Sequence, residues 1–345
     1  MLTRPIPLDM NEVPTPPPPN VIAAARRGLK RLNRYADPAD LARLRELLAD
    51  YAEVPRSRIV VGPGSDLLLR EMVYAFAGGR RIITVSPTFL PTLEAARAAA
   101  GRWTGLRLTP PAFVLDPTLF LEAVEGPCLV IVDNPNNPTG QVLLDQETVR
   151  AALEREGALL VIDEAYYEFA RASAGAGQER SSSFVDLVDD YANLAVTRTM
   201  DKAFSLAGAR VGYAVIGEAF REAFAGLYAF LPQSSLYAAI EALEHPGYVG
   251  KTVGRLVKER ERLREALEGA GAHVAPSHTN FLLVRTDVLD VAGRLRDAGV
   301  LVSDVSNQLP GGFIRVSVGR RPENDAFLAA FRQITEETQG LATRS

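Results

Sequence analysis

Lys202 follows an apolar run in VTRTMDKAFSLAGARVGYAV (196–215), with small residues behind it and Arg210 eight positions later. A lysine buried with few carboxylates around it loses its proton and attacks a carbonyl, the opening of covalent amine catalysis. Arg210 offers a planar fork that suits phosphate. Taken alone, Lys202 reads as a solvated surface lysine, the usual fate of its type. Three further segments argue otherwise. VIDEAYYEF (161–169) ends an apolar strand with Asp163 and Glu164. A carboxylate in such a low-dielectric position holds a heterocyclic nitrogen protonated, although a strand-end acid that caps a helix is a common alternative. In IVDNPNNPTG (131–140), Asn137 lies between an asparagine-rich turn and Pro138, which fixes its side chain toward a site. VVGPGSDLLL (60–69) reads as strand, glycine turn and helix start, where backbone comes close and the first helix amides attract phosphate. Gly62 and Gly64 begin a dinucleotide-like fingerprint, but Leu67 stands at the third glycine position and no strand-end acid follows about 20 residues on. By itself this segment is as well read as a plain structural turn.

Such segments need strands to aim them. Apolar runs at 58–61, 81–85, 128–133, 158–163, 193–198 and 211–216 are mostly apolar throughout, as strands buried on both faces of a mainly parallel sheet should be. Helical patterns alternate with them, which predicts an α/β layer architecture. ADPADLARLRELLADYAEV has apolar residues at helical spacing, with Asp37 or Asp40 placed to cap its start. After about residue 245 a long charged amphipathic helix, YVGKTVGRLVKERERLREALEGAG, leads into NFLLVR, a helix near 287–298, LVSDV, FIRVSV and a closing helix, a smaller α+β unit. PTPPPP (14–19) excludes helix and ladder and predicts an extended arm, which either packs on a partner subunit or runs as a loose tail. RASAGAGQERSSS (171–183) reads as a flexible surface loop.

Composition narrows the function. The chain has 345 residues, enough for roughly two packed units. Its 38 Lys and Arg against 42 Asp and Glu give no field for a polyanion, so nucleic acid is not an expected partner. Cys128 is the one cysteine and reads as core; His245, His273 and His278 lack ligand spacing, so no metal site is expected. The amino terminus lacks the apolar stretch of a secretory signal and no run approaches the ~20 apolar residues of a bilayer span. A soluble cytoplasmic protein with no membrane partner is the expectation.

In their order and spacing, GSD, SPTF, NPNNPTG, DEAYYEF, KAFSLAGARVGY and FIRVSVG resemble the fold type I aminotransferases, nearest to the histidinol-phosphate aminotransferase group. The likeness runs from LDMNEVP to RPENDAFLAAF, nearly the whole chain. It implies a large domain with a mainly parallel, seven-stranded-type sheet flanked by helices and a smaller α+β domain, divided as an arm over 1–30 that joins the small domain, a large domain over 31–244 and a small domain over 245–345. The implied cofactor is pyridoxal 5'-phosphate. Lys202 would carry it as a Schiff base and move a proton between substrate and cofactor, and Asp163 would pair with the pyridine nitrogen. Asn137 and Tyr166 would hydrogen-bond the phenolic oxygen, and Phe89 of SPTF would stack on the ring, although Phe89 could be plain core. Gly64, Ser65, Asp66 and Arg210 would cradle the phosphate, joined by Tyr35 from a neighbouring subunit in a homodimer with shared active sites. Arg315 would grip the substrate's anionic group.

Some residues depart from the family pattern. Asp201 stands where relatives carry a serine or threonine beside the lysine, and Pro63 and Leu67 replace the asparagine and glutamate of GNGSDE. A carboxylate next to a phosphate dianion repels it, so either Asp201 turns away or the phosphate cup is altered. Ser303 stands where the histidinol-phosphate enzymes carry a second arginine; Arg320 either compensates or is a solvated surface residue. The resemblance implies a small-molecule amino donor and a 2-oxo acid acceptor, with transfer to or from 2-oxoglutarate and glutamate. Aminotransfer from an ordinary amino acid such as an aromatic one is the nearest alternative. A threonine-phosphate decarboxylase-like enzyme and a non-catalytic cofactor-binding module are more distant ones.

Overall fold

The computed structural model describes residues 5–99, 101–174, 183–224 and 230–342. Most of the loop expected over 171–183 lies outside the described residues. In chain order the strands are β1 (Ile6–Leu8), β2 (Ile59–Gly62), β3 (Arg81–Ser86), β4 (Trp103–Arg107), β5 (Cys128–Asp133), β6 (Ala158–Asp163), β7 (Leu194–Thr199), β8 (Gly212–Ile216), β9 (His273–Val274), β10 (Phe281–Arg285), β11 (Val300–Asp304) and β12 (Phe313–Ser317).

Seven strands form one sheet in the order β2-β8-β7-β6-β5-β3-β4. Pairs from β7 to β4 are parallel, and β8 runs antiparallel to both β7 and β2. The pattern of β5 shows why it lies at the centre: Val130 and Val132 join the apolar cluster on one face, Leu129 and Ile131 the cluster on the other. Both faces are covered, and each such side chain contributes roughly 1.5–3 kcal/mol when fully buried. A second sheet of five strands, β1-β11-β12-β10-β9, has its own core of Leu282, Val284, Ile314 and Val316 with Phe327 and Phe331 of the closing helix. Its opposite face, with Phe281, Leu283 and Phe313, joins the core of the large sheet. Two sheets thus meet over a shared apolar seam.

Sequence and structure differ at three places. β4 is a strand that the apolar pattern does not mark, because Trp103–Arg107 is an edge strand of partly exposed residues with Gly105 in its middle. The amino-terminal arm is more ordered than a polyproline run: Ile6–Leu8 pairs in parallel with β11, and Pro19 opens the helix Pro19–Leu29. Proline fits there because the first helical residue has no N–H partner to lose. The helix near 287–298 is shorter, Val291–Asp297, capped by the Asp290 side chain. Of the two candidates for capping Pro38–Ala52, Asp37 does so, accepting from the Ala39 amide at 2.9 Å.

Candidate active site

Parallel pairing in register puts Asp133 of β5 opposite Asp163 of β6, and Asp163 opposite Thr197 of β7. These are carboxyl ends of neighbouring parallel strands, where an open α/β sheet presents its ligand site. Asp163 is buried and accepts from Thr197 Oγ1 at 2.7 Å. Burial pushes its carboxyl up to about 7, and the nearby Asp133 adds to the rise. Glu164 is occupied in holding the fold together, since its carboxylate accepts from Ser183 Oγ, the Phe184 amide and Arg198 Nε, with the Arg198 guanidinium 3.7 Å from the Tyr167 ring centroid. Of the two acids in the DEAYY motif, Asp163 is the one that reaches the cavity.

Lys202 follows β7 and lines the same cavity, its Nζ 3.3 Å from the Met10 carbonyl. Burial lowers its pKa to about 8, with Arg315 lowering it further. Its amine therefore loses its proton far more readily than that of a solvated lysine. Tyr166, nearly fully buried, receives a hydrogen bond from Asn11 Nδ2 at 2.9 Å, which leaves its own hydroxyl proton to donate. Asn11 is held by Ser317 Oγ at its amide and by Asn280 Nδ2 at its carbonyl, so the arm is pinned to the five-stranded sheet over the cavity.

At the glycine turn after β2 the backbone comes within contact of Arg210. A Cβ on Gly64, whose φ is +93°, would overlap Arg210 Nη2 and Asp66 Oδ1. One on Gly212 would overlap the Ser65 amide nitrogen. That amide opens the helix Ser65–Phe76, and together with the Arg210 fork it makes an anion cup. The fork itself is bridged by two carboxylates, Asp66 and Asp201. Asp201 thus turns toward Arg210, and its other oxygen is buried without a partner. Arg315 of β12 donates to Asn137 Oδ1 and to the Asp9 carbonyl, both at 2.6 Å, while its Nε is buried and unpartnered.

These groups enclose a cavity of about 500 Å³. Ser65, Asp66, Phe89, Asn137, Asp163, Tyr166, Lys202, Arg210 and Arg315 all line it. They come from segments spread over 250 residues, from Ser65 to Arg315.

The model of the family described as aminotransferase class I and II matches residues 3–331. This chain belongs to that family. Among curated aminotransferases, the histidinol-phosphate aminotransferase of Sulfurisphaera tokodaii is 34% identical over 95% of the chain and 90% of its own length. That of Thermococcus gammatolerans is 36% identical over 97% and 94%. Among solved aminotransferases, the histidinol-phosphate enzyme of Sinorhizobium meliloti, in complex with pyridoxal-5'-phosphate, superposes with a TM-score of 0.84 at 26% identity, covering 97% of this chain and 92% of that one.

Of the residues expected at the site of this aminotransferase from sequence, Gly64 abuts the cavity residues Asp66 and Arg210 without lining the cavity itself, and Tyr35 and Arg320 lie away from it. Tyr35 is 78% exposed, its ring 4.8 Å from that of Phe230. Arg320 is exposed and ion-paired with Glu323, beside a separate pocket that includes Thr252, Arg255 and Arg321. Conversely, Met10, Asn11, Glu12, Asp133 and Thr199 line the cavity, although sequence reasoning gives them no role. Asn11 and Glu12 sit in the LDMNEVP segment, so that stretch held the signal. No spacing within it shows that the arm folds back to Tyr166, Asn280 and Ser317. Among the described residues no helix is long and apolar enough to cross a membrane.

Proposed function

We propose that this aminotransferase uses pyridoxal 5'-phosphate on Lys202 and is of the histidinol-phosphate type, exchanging an amino group with 2-oxoglutarate and glutamate. The carrying observation is that Lys202, Asp163, Asn137 and Arg315 share one cavity although they are far apart in the chain. The residues suit the cofactor: a glycine cradle that a Cβ would fill, a helix amide and an arginine for the phosphate, and a buried strand-end acid hydrogen-bonded to Thr197 of β7 for the ring nitrogen. When bound, the cofactor supplies an aldehyde and an electron sink for the carbanion at the substrate's α carbon.

The chain does the rest. Lys202 Nζ, with its lowered pKa, is free to act as nucleophile and then to carry the proton from the substrate's α carbon. Asp163 would hold the ring nitrogen, and the charge there would favour its ionised form against the burial that raises its pKa. Asn137 and the Tyr166 hydroxyl would donate to the phenolic oxygen, Phe89 would pack on the ring face, and Ser65, Gly64, Asp66 and Arg210 would hold the phosphate. Arg315 receives the substrate's anionic group, its orientation fixed by Asn137 and the Asp9 carbonyl. Leu29, Leu32, Tyr35 and Phe230 are exposed and Tyr35 packs on Phe230, which suits a homodimer in which Tyr35 would serve the partner's site.

A specific observation favours a second substrate reading. Ser303 pairs directly across from Arg315, and Arg320 is occupied by Glu323. Apart from Arg210 at the phosphate end, Arg315 is the one arginine among the described residues that lines the cavity, and the site therefore also suits the α-carboxylate of an aromatic amino acid. A donor panel with 2-oxoglutarate as acceptor decides: preference for histidinol phosphate by kcat/KM supports the leading reading, and preference for aromatic amino acids replaces it.

A further inference from the structure

Asp133 ends β5 one strand away from Asp163 and level with it, yet its surroundings are quite different. It is 5% exposed and accepts four hydrogen bonds. Oδ1 takes Thr88 Oγ1 at 2.7 Å and Asn136 Nδ2 at 2.9 Å; Oδ2 takes the Phe89 amide at 3.2 Å and the Asn137 amide at 2.7 Å. Two donors belong to the loop after β3 that carries Phe89, and two to the turn after β5 that carries Asn137. Thr88 is clasped a second time from the turn between β11 and β12: its amide donates to Gln308 Oε1 at 3.0 Å and its carbonyl accepts from Gln308 Nε2 at 2.9 Å.

The chemistry of this node requires a carboxylate. Each oxygen offers two acceptor sites and both are filled, so an amide in its place would turn an NH2 group against two donors. A buried donor left without its acceptor costs about 1–3 kcal/mol, enough to move a loop. Burial outweighs the opposing pull of its donors and raises the Asp133 carboxyl to about 6.

We propose that Asp133 is a positioning residue for this reaction: by accepting from both loops at once, it sets the Phe89 ring and the Asn137 side chain relative to each other across the cofactor's place, with Gln308 tying that setting to the five-stranded sheet. The inference rests on the proposed roles of Phe89 and Asn137 as cofactor contacts. Asp133 itself touches no reacting atom in this scheme. It acts through the two residues that do.

The test uses full-length holoenzyme and, after cofactor stripping, the same chain. Asp133→Asn should weaken the binding of pyridoxal phosphate by about tenfold or more. It should raise the pH midpoint of the bound cofactor's visible absorbance by about one unit, because Asn137 no longer donates well to the phenolic oxygen. kcat should fall while KM changes by less than about threefold. Thr88→Val, which removes one donor, and Gln308→Ala should shift the same readouts in the same direction by less. If Asp133→Asn lowers only Tm, with cofactor affinity within about twofold and the absorbance midpoint unmoved, Asp133 is a structural strut and the proposal is overturned. Should that variant not fold, Thr88→Val decides by the same readouts, and an unmoved midpoint overturns the proposal equally. Borohydride labelling separates the two claims: label on Lys202 with unchanged spectra removes only the role of Asp133, whereas absence of label from wild-type Lys202 removes the function on which it rests.

Discussion

Asp163 and Arg210 line the same cavity and are held in contrasting ways. Asp163 closes a central strand, buried, with one hydroxyl donor from the next strand and a carboxyl pushed up to about 7. Arg210 lies beyond the strand end, 44% exposed at its side chain and bridged by two carboxylates. Removal from water sets the behaviour of the first; balance among close charges sets that of the second, and solvent screens part of it. On the proposed function, the Asp163 end, which would face the ring, is built for strong electrostatic control, whereas the Arg210 end carries a surplus of negative charge that a bound phosphate would have to overcome.

Substitutions at the two ends test this contrast. Lys202→Ala has the largest expected effect, a loss of turnover of at least about 10⁴-fold with the fold retained, since the positioned proton carrier and the covalent attachment go together. Near-normal turnover would remove the lysine from the mechanism. Asp163→Asn should cost at least about a hundredfold in turnover and, unlike Lys202→Ala, should change stability in a pH-dependent way. The folded-state carboxyl lies near 7 against 3.8 for an unperturbed aspartate, so between those values the folded chain holds the extra proton and stability falls as pH rises. The cofactor-stripped variant should therefore melt above wild type at about pH 8 and converge with it near pH 4; a variant that melts lower at both would show that burial does not control Asp163.

The phosphate end should respond with the opposite sign. Asp201→Asn removes one of the two charges on Arg210 and should tighten pyridoxal phosphate binding by about tenfold, measured by titrating stripped protein. Weaker binding would mean that Asp201 serves to orient Arg210 rather than to compete for it. The smallest effect belongs to Arg320→Ala, whose side chain is exposed and paired with Glu323. Its kcat/KM should stay within about twofold for every donor, and a selective loss with phosphorylated donors would place Arg320 in substrate binding after all.

How much of this is legible in the sequence follows from the range of the forces involved. β5 and β6 can be read because a strand buried on both faces is apolar at every position but its last. β4 cannot, since an edge strand with Gly105 and partly exposed side chains lacks that signature. Lys202, Asp163, Asn137 and Arg315 sit in motifs whose turn chemistry and strand ends mark them. Asp133 stands in one of those motifs with no sign of its part, because two of its donors come from residues 88 and 89, more than 40 positions away. Asn11 depends on the arm crossing to Ser317 and Tyr166, contacts separated by 306 and 155 positions. Local pattern decides which elements form; the partners that satisfy a buried polar group are chosen by the tertiary fold.

The attachment point of the cofactor can be read independently of any substrate, by reducing the holoenzyme with borohydride and mapping its peptides. A single pyridoxyl label on Lys202, absent from the Lys202→Ala variant, is the expected result. Label on Lys30, Lys251 or Lys258 in its place would contradict the assignment of Lys202.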